Sequence, residues 1–108
     1  MPENMSEMLK GVLEGMVLEI IGQGEVYGYE IVKKLQGLGF KDIAEGTVYT
    51  VLTRIERGHL VSIVRRPSAL GPPRKFYTLN TRGKEELRAF WSRWETLKQR
   101  IDDLKCEA

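Results

Sequence analysis

Between residues 54 and 75 the chain sets Arg54, Arg57, Arg65, Arg66, Arg74 and Lys75 against a single acid, Glu56. Guanidinium and ammonium groups at this density suit one chemistry above others, the neutralisation and hydrogen bonding of phosphate oxygens. Just upstream, Glu45, Thr47, Tyr49 and Thr50 supply a carboxylate and three hydroxyls. Hydroxyls pair with several base edges, so they offer a modest sequence preference. The charge is concentrated. Residues 27–84 hold eleven Lys and Arg against four acids, whereas residues 1–26 hold one against five and residues 85–108 five against six. A cationic middle between two mildly acidic ends points to a polyanionic partner.

Catalytic chemistry lacks its residues. His59 is the one histidine, and no serine or cysteine is placed with it as a nucleophile. No acidic pair stands at a loop or strand end for acid–base work. The glycines fall at segment ends, without the spacing of a phosphate-binding loop. Cys106, the one cysteine, can make no internal disulfide and has no Cys or His neighbours for a zinc site. No enzyme activity, catalytic residue, cofactor or metal is expected. No apolar run approaches the roughly eighteen residues that span a bilayer, so no membrane partner is expected. The acidic start from Met1 to Glu7 lacks the basic beginning of a secretory signal, which makes a cytoplasmic location the expectation.

The elements that would position these residues follow from periodicity and glycine stops. At 108 residues the chain has the length of one domain. A first helix is predicted over Ser6–Ile21, with Leu9, Val12, Leu13, Met16, Val17, Ile20 and Ile21 on one face. Ser6 is its expected cap and Gly22–Gly24 its stop. A second, Tyr27–Leu38, turns Tyr27, Ile31, Val32 and Leu35 inward and Lys33 and Lys34 outward. A third, Ala44–Arg57, turns Val48, Leu52 and Ile55 inward, leaves Thr47, Thr50, Arg54 and Arg57 on outer faces, and stops at Gly58. The last two form a helix-turn-helix. Two strand-like runs follow, 60–66 and 75–79, joined by the Pro/Gly-containing loop Pro67–Arg74. A hairpin whose tip and flanks carry Arg65, Arg66, Arg74 and Lys75 reads as a wing that reaches phosphates or a minor groove. The plainer alternative is a solvated hairpin.

The last helix is predicted from Thr81, its expected cap, to about Lys105, with Glu85 and Glu86 near its positive end. Leu87, Phe90, Trp94, Leu97, Ile101 and Leu104 recur at steps of three, four, three, four and three. Such a narrow strip suits pairing with the same helix of a second copy, and a short domain has little surface of its own to cover it. Packing of the whole strip on its own domain is the alternative. Trp91, beside the strip, is expected against the first helix. The fold class is therefore mainly α with a small β-hairpin, a winged helix-turn-helix plus a long C-terminal dimerisation helix. Residues 1–80 would form the DNA-binding domain, with the first helix contributing to the dimer, and residues 81–108 the dimerisation helix and tail.

With the third helix in a major groove, Glu45, Thr47 and Thr50 near its start would reach base edges. Tyr49 and Arg54 would contact phosphates, with Tyr29 and Lys33 of the second helix anchoring the backbone. Two alternatives stand beside this: Tyr49 packed between helices with its hydroxyl outward, and Arg54 paired with Glu30 or Glu56. A two-fold dimer would require double-stranded DNA carrying an inverted repeat, with half-sites about one helical turn apart.

The run from Gly46 to Val61, with Thr47-Val48-Tyr49 near its start and Gly58-His59-Leu60-Val61 at its end, resembles the third helix and turn of the PadR family of transcriptional regulators. Gly71-Pro72-Pro73-Arg74-Lys75-Phe76-Tyr77 through Gly83 resembles the family's wing and return strand. Tyr27-Gly28-Tyr29-Glu30-Ile31 fits the start of its second helix. The single long C-terminal helix is similar to the family's small-subunit branch. The resemblance implies a winged helix with a dimerisation helix, repressing a transporter or stress-response gene until a small molecule binds. It also implies a phosphate contact for Tyr49. In multidrug-sensing members a tryptophan at the position of Trp94 lines a pocket between subunits and stacks on planar ligands. Leu9, Val12, Leu13, Met16 and Phe90 would then wall a site for a small aromatic or apolar ligand. The alternatives are plain interface packing for Trp94, a constitutive regulator without ligand, or a winged-helix module that docks on protein. A docking module should present an apolar or mixed surface on the third helix and wing. An RNA-binding role would need a stacking platform that one aromatic strand does not supply.

Overall fold

A computed structural model of the chain describes residues 5–107. The helices are α1 (Met5–Leu9), α2 (Leu13–Gly22), α3 (Gly28–Gly37), α4 (Glu45–Arg57) and α5 (Thr81–Glu107). The strands are β1 (Val26–Tyr27), β2 (Val61–Arg66) and β3 (Arg74–Leu79), forming one sheet in the order β1-β3-β2.

The predicted first helix is two helices. The backbone breaks at residues 10–12, where Gly11 costs about 1 kcal/mol relative to alanine in a helix interior. Val12 leaves the helical region (φ −122°, ψ −8°). Its amide still donates to the Leu9 carbonyl at 3.0 Å, so one turn joins the two pieces. Ser6, the expected cap, lies inside α1 instead.

Most of the inward faces meet as the periodicity predicts, but Leu18, outside the predicted first-helix face, is buried, while Val12 and Met16 on it are only partly so. Val17, Leu18 and Ile21 of α2, Ile31 and Leu35 of α3, and Val48, Leu52 and Ile55 of α4 are fully buried. Val51, three residues beyond Val48, joins them. Tyr27 departs from expectation. It precedes α3 in extended conformation (φ −106°, ψ 166°), and its amide donates to Glu30 Oε1 at 3.1 Å. With Val26 it pairs antiparallel to β3, Val26 opposite Tyr77 and Tyr27 opposite Phe76. The hairpin is thus a three-stranded sheet, its third strand too short to show an alternation.

The junction between α4, β2 and α5 sets the direction of the long helix. α4 ends in a Schellman turn: the Leu60 amide donates to the Ile55 carbonyl (3.2 Å) and the His59 amide to that of Glu56 (3.1 Å). The left-handed position is His59 (φ 57°), one residue after the expected stop at Gly58. Glycine carries no Cβ penalty there. His59→Gly should therefore raise stability by about 0.5–1 kcal/mol in chemical denaturation; a loss would mean that the imidazole contributes contacts worth more than the strain.

Asn80 closes the same junction. Its Nδ2 donates to the His59 carbonyl (2.8 Å), its Oδ1 accepts from the Gly83 amide (2.8 Å), and its own amide donates to the Leu60 carbonyl (3.2 Å). Asn80 is therefore the cap of α5 in place of Thr81. Glu85 and Glu86 fall beyond the first turn, which holds no acid. Gly83 is buried, and a Cβ on it would run into the Leu60 carbonyl oxygen.

Candidate nucleic-acid interface

With Val48, Val51, Leu52 and Ile55 fixing α4 on the core, Glu45, Thr47, Thr50, Arg54 and Arg57 stand on its exposed side. Thr50 Oγ1 donates to the Gly46 carbonyl at 2.9 Å. Its proton is committed, so Thr50 offers a partner an acceptor and a methyl group. The Tyr49 ring lies over the start of α3: a Cβ on Gly28 would stand 2.6 Å from Tyr49 Cε1. The residue is nonetheless exposed, so packing and an open edge coexist. Burial, then the charge of Glu45 and then Tyr27, push the phenol above its ordinary range. Tyr49 is thus a neutral donor at physiological pH. On α3, Tyr29 is exposed and Lys33 Nζ stands 5.5 Å over its ring.

Arg54 goes elsewhere. Its Nε lies 3.8 Å from the Glu14 carboxylate of α2, while Glu30 caps α3 and Glu56 accepts from Lys75. Neither carboxylate proposed as its partner from sequence holds it.

The strand register determines what the wing can do. Arg65 stands opposite Lys75 and Arg66 opposite Arg74. Two successive rungs therefore set like charges face to face, an arrangement that destabilises a hairpin. Alternation sends Arg65 and Lys75 to one face and Arg66 and Arg74 to the other. On the first face, Lys75 Nζ reaches Glu56 Oε1 at 3.3 Å. On the second, Arg66 donates Nε and Nη2 to the two oxygens of Glu25, each at 2.9 Å, with its guanidinium 5.5 Å over the Phe76 ring. Arg74 lies 4.6 Å over the Tyr27 ring, and Tyr27 meets Phe76 edge-on at 5.3 Å. The Glu25 hydrogen bonds raise the Arg66 pKa further. Beneath the first face, burial raises the Tyr77 phenol, with Glu56 and Tyr49 adding to it. The tip, residues 67–73, carries no charge, and its Leu70 is 95% exposed. The expected cations at the tip thus sit on the strands at its root. Glu25, Tyr27 and Phe76 escape a reading of the sequence alone; their signal is the two-residue strand that brings them to one face.

The strip along α5 divides. Leu87 and Phe90 are half-buried, the Phe90 ring resting on Gly15 of α2. Beyond them exposure rises from 37% at Trp94 to 68% at Leu104, through Leu97 and Ile101. Trp91 Nε1 donates to Glu19 Oε1 at 2.8 Å, which holds it against α2 as expected. Between α2 and α5 an open groove of about 300 Å³ is lined by Val12, Gly15, Leu18, Phe90, Trp94 and Leu97, with Glu14 and Arg93 also contributing. Of the other walls expected for a ligand, Leu9 and Leu13 are buried in the core and Met16 packs against it. They do not line this groove, because Leu9 and Leu13 continue the buried stripe of Val17 and Ile21 into the core.

Among the described residues no group of His, Cys, Asp and Glu is arranged to hold a metal ion, and no helix is long and apolar enough to cross a membrane. Residues 17–89, from α2 into α5, match the family described as Transcriptional regulator PadR-like family. A Streptococcus transcriptional regulator of known crystal structure is 44% identical, with a TM-score of 0.81 over 91% of this chain and 96% of its own. A PadR-like transcriptional regulator from Bacillus cereus is 42% identical, with a TM-score of 0.80 over 91% of this chain and 95% of its own. Bacillus subtilis PadR, solved in complex with operator DNA, shares the fold at 22% identity and a TM-score of 0.67, over 74% of this chain and 46% of its own. The matched span contains the helix-turn-helix, the wing and the start of the long helix, and on it the chain belongs to the PadR-like family of transcriptional regulators.

Proposed function

We propose that the chain is a sequence-specific DNA-binding regulator that acts as a homodimer on an inverted-repeat operator. The observation that carries this reading is the pair of like-charged rungs at the wing root, Arg65 opposite Lys75 and Arg66 opposite Arg74. Like charges face to face disfavour the hairpin. Lys75 and Arg66 find Glu56 and Glu25, but Arg65 and Arg74 have no carboxylate partner among the described residues; a phosphate backbone is what they suit. The α4 helix then enters the major groove, with Glu45, Thr47 and Thr50 at base edges and Tyr49, Tyr29 and Lys33 on the backbone. Arg54 joins them only by leaving Glu14, an exposed pair of the kind that contributes about 0–1 kcal/mol. That the Bacillus subtilis relative was solved with operator DNA supports the reading. A protein-docking module should present an apolar or mixed surface on α4 and the wing, where this chain presents Arg54, Arg57, Arg65, Arg66, Arg74 and Lys75 against Glu56.

In this reading residues 1–80 bind DNA and residues 81–108 pair two copies through Leu87, Phe90, Trp94, Leu97, Ile101 and Leu104. The protein acts as a repressor relieved by a planar aromatic or apolar ligand. The groove beside Trp94 supports that part, since it opens where α5 leaves its own domain and Trp94 and Phe90 line it.

The test is fluorescence anisotropy with a labelled duplex from the gene's own upstream region against a scrambled duplex, across a salt series. Tighter binding to the native duplex, falling steeply with salt, is expected. Arg74→Ala with Lys75→Ala should weaken binding to both duplexes and reduce the salt slope by about 0.9 for each phosphate no longer neutralised. Unchanged affinity would remove the wing from the interface. No binding to either duplex at low salt would put a protein-docking module in place of the DNA reading.

A further inference from the structure

Arg66 does not present a free guanidinium. The carboxylate that holds it, Glu25, comes from 41 residues earlier in the chain and from the opposite edge of the sheet. Glu25 immediately precedes β1, and its two hydrogen bonds from Arg66, whose guanidinium lies over Phe76, place its carboxylate on the Phe76 face. Arg66 crosses that ring to reach it. Two oxygens at 2.9 Å and one aromatic face at 5.5 Å fix the fork in position and plane. Its rung partner Arg74 rests, among the described residues, on a ring alone. The two arginines of one face are thus unequal: one is paired, at the surface, with a carboxylate of its own chain and one is not.

We propose that Glu25 limits the DNA affinity of the wing by occupying Arg66 where a phosphate would bind. This rests on the DNA-binding reading above. A phosphate and a carboxylate compete for the same bidentate fork. While Glu25 holds it, Arg66 displaces no counterion from DNA and is missing from the electrostatic footprint. Phosphate contacts carry no sequence information, so releasing Arg66 strengthens binding to every duplex. In a cell a great excess of non-operator DNA competes for the protein. An acid that holds one wing cation back keeps that background binding low while leaving the base-reading residues of α4 untouched.

Glu25→Gln keeps the size of the side chain and removes its charge. With the full chain, the native upstream duplex and the scrambled duplex, anisotropy across a sodium chloride series should show tighter binding to both. Each wing should steepen the salt slope by about 0.9, which is roughly an eightfold gain in affinity at 0.1 M salt that fades toward 1 M. Glu25→Asp, which keeps the charge but shortens the reach, should give a smaller gain of the same sign, and serves where the glutamine variant melts early. In an Arg66→Gln background Glu25→Gln should change nothing. A similar gain there would assign the effect to net charge and overturn the pairing. Wild-type binding that Glu25→Gln leaves unchanged or weakens overturns the inference alone. Absence of wild-type binding to either duplex overturns the DNA reading, and the inference with it.

Discussion

Gly83→Ala should destabilise the folded chain by about 3 kcal/mol, one of the largest effects expected of a single methyl group. Two opposing terms decide it. In a helix, alanine is favoured over glycine by up to about 1 kcal/mol, so an open site would gain. At Gly83 the added carbon meets the Leu60 carbonyl oxygen, and that oxygen already accepts from the Asn80 amide. A backbone carbonyl at the root of β2 cannot rotate aside as a side chain would. Relief requires moving the start of α5, which also breaks the Asn80 cap, itself worth about 1 kcal/mol. For a domain of this size 3 kcal/mol corresponds to a fall in Tm of roughly 12–24 °C. The control is Gly37→Ala at the end of α3, where nothing lies within 4 Å of an added Cβ; it should be neutral or gain a few tenths of a kcal/mol. Both should be measured by urea denaturation at one protein concentration, because association alters apparent stability. A loss below about 1 kcal/mol at Gly83 would show that the helix start slides freely on β2.

Ile101→Asp should convert the protein to monomers and lower operator affinity by about 10²–10⁴-fold. Ile101 is 54% exposed in the single chain, so its replacement leaves the protomer's own core intact and its melting transition two-state. In the proposed dimer the same position lies in the apolar seam. A carboxylate placed there would lose its water without gaining a partner, and an unpaired charge is costly to desolvate. The affinity loss follows from geometry: a monomer holds one half-site, and the second no longer binds at the high effective concentration that linkage provides. Sedimentation velocity and anisotropy separate the two claims. A variant that remains dimeric would place the seam elsewhere on the molecule; a monomer of full operator affinity would remove the need for two-fold binding.

Much of this architecture is legible in residue spacing. Val48, Leu52 and Ile55 at helical intervals place α4 on the core, and the β-branched run before Arg65 places the wing strands within a residue of where they lie. What escapes is set by single residues against a regular background. Gly11 breaks a stripe that seven apolar side chains make continuous, and no periodicity registers one backbone defect. Val26–Tyr27 is too short to alternate, yet it brings Tyr27 and Glu25 to the wing. At the interface, the types of the wing residues are readable but their division is not. Arg65, Arg66, Arg74 and Lys75 look equivalent until a register assigns two to each face. For Arg54 the sequence offers Glu30 and Glu56 as partners, whereas Glu14, forty positions away, is its neighbour in space.

The knot of hydrogen bonds at Asn80 makes the wing and the long helix parts of one lever with a short arm and a long one. At about 1.5 Å per residue, the stretch of α5 from Gly83 to Leu104 is roughly 30 Å long, so a tilt of about 5° at its root carries Leu104 through nearly 3 Å. The wing cations Arg74 and Lys75 stand at the far end of β3 from Asn80, roughly 16–20 Å away at about 3.3 Å per residue. The same tilt carried into the wing would move them by about 1.5 Å, a scale on which phosphate hydrogen bonds, which weaken steeply with length and angle, are kept or lost.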